Sequence, residues 1–537
     1  MNRRIPSQQM KFVMRALRYR NYRLFFVGQG ISLIGTWMQQ LALSWLVYRL
    51  TESPLFLGII SFSSQIPSFI LSPVAGVYAD RWNRYHLVIA TQCLAMVQAS
   101  ILAVLALSGA ITVWHLIILS LFLGIVNAFD VPIRQSFVVE MVERKEDLGN
   151  AIALNSLLFN GARLIGPTLA GMIIAFAGEG ICFLINAISF LAVIPALLAM
   201  KIPTRIVRSR RVYLKVGLEE GYHYVRNSIP IRYILMQLSL MSFMGMSYAV
   251  LLPVFARDIL GGGPHSLGFL VGAAGVGAMI GALFLASRES VIGLGRLIVF
   301  SSGLFGIGVI IFSLSKVLLL SILMMFGIGF GLMVQMASSN TILQTIVEED
   351  KRGRIMSLFA VSFMGVAPFG SLFTGLMASH IGAPAALVIC GTCCLLGTVL
   401  FYKKLPDIRK IVRPIYKEMG MFPPLDEDLM NAAKPLLHFT RRSCRYLLFL
   451  NSSSNLSRYR YPASTRMLLT ATISSNVKYL LFRAQFPLTL RRIVPSSLPI
   501  VEIMAHHGRP TNDPASWPNS GSMNRPKILI PANGALT

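Results

Sequence analysis

Three ionisable residues fall where the chain is otherwise apolar. Asp130 and Arg134 lie in "AFDVPIRQ" (128–135), and Arg163 lies in "NGARLIGPTLAG" (160–171). A charge at the centre of a membrane helix costs about 2.5–3.5 kcal/mol on insertion scales, so such residues face the bundle interior and pair or do chemistry. Asp130 and Arg134 are i, i+4 neighbours on a helix face. Arg163 has two readings: it binds an anionic or acidic substrate group in a central cavity, or it pairs permanently with Asp130 or with helix carbonyls. Asp130 is the candidate proton-exchanging group. Catalytic patterns are missing: there is no HExxH, no phosphate-binding loop and no nucleophile–base pair, so the chain does not read as an enzyme. "CGTCC" (390–394) lacks both the second ligand pair of a zinc site and the strand–helix context of a redox motif. The cysteines read as packing residues, and no metal or cofactor is expected.

The elements that must position these residues are apolar spans. The 537 residues are 54% hydrophobic and 13% charged, against about 25% charged in soluble domains, which indicates an integral membrane protein. About 20 apolar residues cross a bilayer. Twelve such runs occur, at roughly 24–48, 55–78, 86–108, 113–139, 149–177 and 180–200, then 232–256, 266–287, 294–314, 317–345, 354–379 and 383–402. The chain divides accordingly into a basic N-terminus (1–23), a six-helix bundle (24–200), a linker (201–231), a second six-helix bundle (232–403) and a tail (404–537). After about 422 the tail is rich in Ser, Arg and Pro without a spanning run, and it is expected to be disordered. The first 23 residues are basic and polar and do not read as a cleavable signal peptide.

A net charge of +27 could point to nucleic acid, but the basic residues sit between apolar segments and form no stripe. Lys and Arg number seven in 1–23, seven in 201–230 and six in 401–417, whereas the opposite loops hold only Arg49, Arg257 and Lys316. Both termini and the linker are therefore expected on the cytoplasmic side.

The halves also repeat. "RQSFVVEMVERKEDLGNAIALNSLLFNGARLIGPTLAG" (134–171) parallels "NTILQTIVEEDKRGRIMSLFAVSFMGVAPFGSLFTG" (340–375), and "VYRLTESPLFLG" parallels "VFARDILGGGPHSLG". Six helices return the chain to the same side, so the repeats are parallel, and a site is expected between them near the midplane. Trp37, Gln39, Asn127, Asn160, Gln237 and Gln335 are the candidate cavity wall.

"GVYADRWNRYHL" (76–87) carries G-x-x-x-D-R-x-x-R through Gly76, Asp80, Arg81 and Arg84. With twelve helices in two parallel repeats, this resembles the major facilitator superfamily of transporters. The chain departs from the family pattern at Asn83 and Tyr85. By their charge, Arg81 and Arg84 can tie this turn to carboxylates such as Asp130 or Glu140, and the resemblance implies that the cluster gates the cytoplasmic face. "ARLIGPTLAG" (162–171) resembles the fifth-helix element of exporters working as antiporters through Gly166, Pro167 and Gly171, with Ala162 and Ala170 replacing Gly. The proton-linked R-x-x-Q-G of many members is absent from "SLFLG" (120–124), where Ser120 and Leu123 stand. Residues 12–421 are similar to the branch that includes enterobactin exporters.

The implied protein is an all-α, twelve-helix monomer of the bacterial inner membrane, surrounded by lipid. It would export small organic molecules, siderophore or drug-like, by alternating access in exchange for protons. The alternatives are import of an organic anion held by Arg163, or a transporter-like receptor without transport.

Overall fold

In a computed structural model of the chain, the described residues are 15–81, 83–142, 144–200, 223–288 and 290–419. The tail after 422, expected to be disordered, lies outside them, as does most of the linker. Among the described residues, twelve long helices lie in the unit Met1–Pro424. The first half is α1 (Arg20–Thr51), α2 (Pro54–Arg81), α3 (Arg84–Leu107), α4 (Val113–Glu140), α5 (Lys145–Ala177) and α6 (Glu179–Leu198). The second is α7 (Ile229–Ile259), α8 (Pro264–Ala286), α9 (Leu294–Leu314), α10 (Leu318–Ile346), α11 (Glu349–Ile381) and α12 (Ala383–Glu418). Eleven are long and apolar enough to cross a membrane. The twelfth, α1, has ample length at 32 residues, its apolar character diluted by Gln29, Gln39 and Gln40. No described residue is in a β-strand.

The repeat seen in the sequence is built into the backbone. Gly178 (φ 78) separates α5 from α6, and Gly382 (φ 84) separates α11 from α12. Both occupy the positive-φ region that only a residue without Cβ enters cheaply. The halves meet along two matching seams, α5 on α8 and α2 on α11. A Cβ on Gly171 would lie 2.7 Å from the Pro264 carbonyl oxygen and 3.0 Å from the Gly268 Cα. In the other seam, a Cβ on Gly375 would lie 2.8 Å from the Pro54 carbonyl oxygen and 2.9 Å from the Gly58 Cα. Small residues let helix backbones approach this closely inside a membrane. The Pro-x-x-x-Gly segments 54–58 and 264–268, matched by sequence, are therefore the same structural part used twice.

The apolar interior is unevenly shared. At the end of the bundle away from the chain ends, one cluster joins both halves, with Leu46 and Phe183 of the first packed among Leu251, Phe255 and Leu267 of the second. At the other end there are two separate clusters. One, around Phe25, Val88, Ile133 and Phe137, lies within α1–α6. The other, around Ile234, Ile298, Leu343 and Phe359, lies within α7–α12.

Beyond residue 402 the last helix continues to Glu418, through Pro406 and Pro414. Phe401, Leu405, Ile408, Val412 and Tyr416 recur at three- and four-residue spacing and pack into the second-half cluster, while Lys403, Lys404, Arg409, Lys410 and Arg413 stay exposed. Two helices of the second half are wound differently. Met241–Gly245 in α7 and Val361–Gly365 in α11 are π turns, and both contain Ser-Phe-Met-Gly. They touch: the Ser242 hydroxyl donates to the Phe363 carbonyl.

Candidate functional site

Asp130 is buried on α4, and its carboxylate is filled from α3 and from its own helix. One oxygen accepts from the Thr91 hydroxyl (2.9 Å) and from the Gln92 Nε2 (2.8 Å). The other faces the Arg134 Nε at 3.2 Å. The i+4 arginine reaches Asp130 along one helix, so no second helix has to supply the cation. Permanent pairing of Arg163 with Asp130, one of the two readings of that arginine, is not formed. Arg163 instead lies with its guanidinium 5.7 Å from the ring centroid of Trp37 on α1, and no carboxylate pairs with it among the described residues. The Trp37 ring meets Phe159 edge-on at 5.6 Å.

The packing of α5 explains why Arg163 points inward. Gly166 is pressed on α1, where an added Cβ would lie 2.6 Å from the Trp37 Cβ. Leu164, Thr168 and Gly171 touch Gly275, Gly272 and Gly268 of α8. Ile165, Leu169, Met172 and Phe176 are exposed on the arc that the bilayer covers. At 100° per residue, the remaining arc carries Gly149, Ser156, Asn160, Arg163 and Pro167. The first two are exposed, the next two half-buried and Pro167 buried. A polar strip thus runs from the chain-end side of the bundle and closes just past Arg163. The three residues of the antiporter-type element, Gly166, Pro167 and Gly171, form its blocked end and the seam beyond it.

Several expected wall residues serve instead to hold the halves together internally. Gln39 is not on a cavity wall: its amide donates to Gln98 (2.9 Å) and accepts from Asn186 (2.8 Å), and Gln98 continues to the Leu119 carbonyl. A buried amide needs such partners, and this one finds them on α3 and α6. Gln237 is buried against Thr398 of α12 at 3.4 Å. Gln335 is fully buried in α10, and neither of its amide atoms has a hydrogen-bond partner among the described residues. Asn127 and Asn160 remain half-buried, and Asn160 donates to the Ser156 carbonyl at 2.8 Å.

Of the gate cluster, Gly76, Asp80 and Arg81 fall on the last turns of α2, and their side chains lie outside the described residues. Of the two carboxylates expected for it, Arg84 pairs with Glu140 at 2.8 Å, while Asp130 is taken by Arg134. Asn83, where the family pattern has Gly, caps α3 by accepting from the Tyr85 N–H at 3.0 Å.

Sequence reasoning missed a second charged cluster, at the opposite end of the bundle. The Tyr48 hydroxyl donates to Asp258, and Arg257 pairs with Glu52 at 2.6 Å while lying 5.8 Å from the Tyr48 ring centroid. These contacts join the end of α1 to the end of α7, hence one half to the other. Arg257 and Asp258 sit on a further π turn, Phe255–Ile259. The signal was present in the paired segments "VYRLTESP" and "VFARDILGGGP", whose opposite charges fall at corresponding helix ends.

The molecule has relatives of known kind. The Staphyloferrin A transporter of Staphylococcus aureus is 28% identical over 388 residues, covering 71% of this chain and 95% of that protein. Macrolide efflux protein A of Streptococcus pyogenes is 24% identical over 413 residues, covering 73% and 99%. Multidrug efflux pump Tap of Mycolicibacterium fortuitum is 23% identical, covering 72% and 93%. Among solved structures, a bacterial homologue of the iron transporter ferroportin in an inward-facing state superposes with TM-score 0.56 at 17% identity, over 72% of this chain and 99% of that one. A bacterial homologue of the human lysosomal transporter Spinster, inward-facing and unoccupied, gives 0.55 at 14% identity, over 76% and 99%. The profile of the transmembrane secretion effector family matches residues 13–437. With the family profile spanning most of its length, this chain belongs to the transmembrane secretion effectors of the major facilitator superfamily: multi-pass membrane transporters, not enzymes.

Proposed function

We propose that the protein exports small organic molecules, siderophore or drug-like, from the bacterial cytoplasm by alternating access, as a monomer in the inner membrane and in exchange for protons. The observation that carries the reading is the uneven core: the halves share one cluster at the end away from the chain ends and keep separate clusters at the other. With the basic termini on the cytoplasmic side, this is a bundle shut toward the outside and parted toward the cell interior. The polar strip of α5 is then the approach for a cytoplasmic substrate. The relatives named for efflux of macrolides and of multiple drugs support the direction.

Rocking the halves would break the Tyr48–Asp258 and Arg257–Glu52 contacts and bring the Asp80, Arg81 and Arg84 region against the second half. Asp130 is the group proposed to exchange protons, because it is the buried carboxylate of α4 and any rearrangement of α4 against α3 changes its contacts with Thr91 and Gln92. Import of an organic anion is the second reading, favoured by the cation at Arg163.

Everted membrane vesicles with an acid interior decide between these readings. Addition of a macrolide or a carboxylate siderophore is expected to release protons with wild-type protein and to release none with Asp130→Asn. Proton release that persists in Asp130→Asn removes that residue from coupling. No release with any compound in the wild type overturns antiport, and substrate movement only out of the vesicles reverses the direction.

A further inference from the structure

The same crossing is built once in each half, and only one copy carries a charge. In the first, Gly166 of α5 lies on Trp37 of α1. In the second, Gly370 of α11 lies on Phe243 of α7. Three residues before these glycines stand Arg163 and Ala367 respectively. One helical turn further from Arg163 is half-buried Asn160; its counterpart is exposed Met364, next to which Val361 is also exposed. The α4 residue Arg134 corresponds in the repeat to Asn340 of α10. At these equivalent positions the first half thus carries a cation and an amide on α5 where the second carries alanine and methionine on α11.

Arg163 is also half-buried and pairs with no carboxylate among the described residues. A guanidinium offers five N–H donors in a planar fork, and here the described residues supply the face of Trp37 and neither a hydrogen bond nor an ion pair. A planar fork beside an aromatic face is suited to bidentate capture of a carboxylate attached to a ring.

We propose that Arg163 and Trp37 seat the carboxylate of an organic anion that carries an aromatic ring. The site rests on the export reading only for what happens after binding, and binding is measured separately.

The test is equilibrium binding of radiolabelled 2-naphthoate and of 2-naphthamide, equal in shape and different in charge, to the full-length protein in lipid nanodiscs. The acid is expected to bind saturably and at least about tenfold more tightly than the amide. Arg163→Gln is expected to abolish the preference, Arg163→Lys to keep part of it, and Trp37→Phe to keep it with weaker binding. Equal binding of acid and amide to the wild type, or no saturable binding of the acid, overturns the seat without recourse to a variant. So does a preference that survives in Arg163→Gln. Macrolide-driven proton release from the same preparations separates the two claims. Release without an acid preference sinks the anion seat and leaves export standing, while an acid preference without any substrate-driven release sinks export and leaves the seat.

Discussion

The two halves share a backbone plan and differ in what they place on it. Gly166 and Gly370 hold equivalent crossings, Gly171 and Gly375 equivalent seams, and Gly178 and Gly382 equivalent turns. On that scaffold the first half carries an ion pair, Asp130–Arg134, and a hydrogen-bonded amide chain through Gln39, Gln98 and Asn186. The second half carries the paired π turns of α7 and α11 and a buried Gln335 whose amide meets no partner among the described residues. π turns interrupt the regular ladder and often mark functional sites. The difference teaches that symmetry is kept where helix backbones meet closely at glycine and given up where the charges and the π turns are placed.

The largest effect is expected from breaking the symmetric part. Gly171→Leu combined with Gly375→Leu places side chains into both seams where backbone atoms already touch. Overpacking costs about 1–3 kcal/mol at each site, which sums to at least a roughly thirtyfold shift away from the closed arrangement. Cysteines introduced at the end away from the chain termini should become reactive from that side while transport is lost. Unchanged labelling would mean that these seams do not hold that end shut.

A smaller effect sharpens the asymmetry. Gln39→Leu strips Gln98 and Asn186 of a buried partner, at about 1–3 kcal/mol for the groups left unsatisfied. Gln335→Leu, the same substitution in the other half, removes an amide that makes no hydrogen bond to a described residue and should be neutral or stabilising. Thermal unfolding of the purified variants compares them directly. Equal losses of stability would remove the distinction between a knitted first half and a looser second one.

The smallest effects belong to the contacts between the ends of α1 and α7. Glu52 and Arg257 are both partly in solvent, so Glu52→Gln should cost only about 0.2–1 kcal/mol. Tyr48→Phe, at a buried ring, should cost about 1 kcal/mol through loss of its hydrogen bond to Asp258. Labelling of a cysteine placed behind this cluster should quicken about two- to fivefold in either variant. If Glu52→Gln has the greater effect, the exposed ion pair and not the buried tyrosine holds this end.

Much of this was readable beforehand, and the particulars show why. The spans came from apolar runs, and the twofold repeat came from matching segments that the fold then stacked on each other, Pro54–Gly58 with Gly375 and Pro264–Gly268 with Gly171. Where several partners competed, the sequence could not choose. Arg84 had Asp130 and Glu140 within reach and took Glu140; Asp130 had Arg134 and Arg163 and took Arg134. Polar residues on apolar helices looked alike, yet Gln39 and Gln237 turned into their own half while Asn160 faced the gap. The run after 402 looked like a basic tail because its apolar residues are few, although their three- and four-residue spacing let α12 continue.

By itself, then, the sequence determined the membrane class, the twelve helices, the parallel repeat and the presence of charge near the midplane. Those properties depend on hydropathy, length and local spacing, all of which are written along one dimension. Only the tertiary structure decided which end of the bundle shares a core, which carboxylate each arginine meets, and that Arg163 meets Trp37. Those are outcomes of competition between side chains brought together from distant helices, where a few ångströms of reach and one turn of rotation settle the pairing.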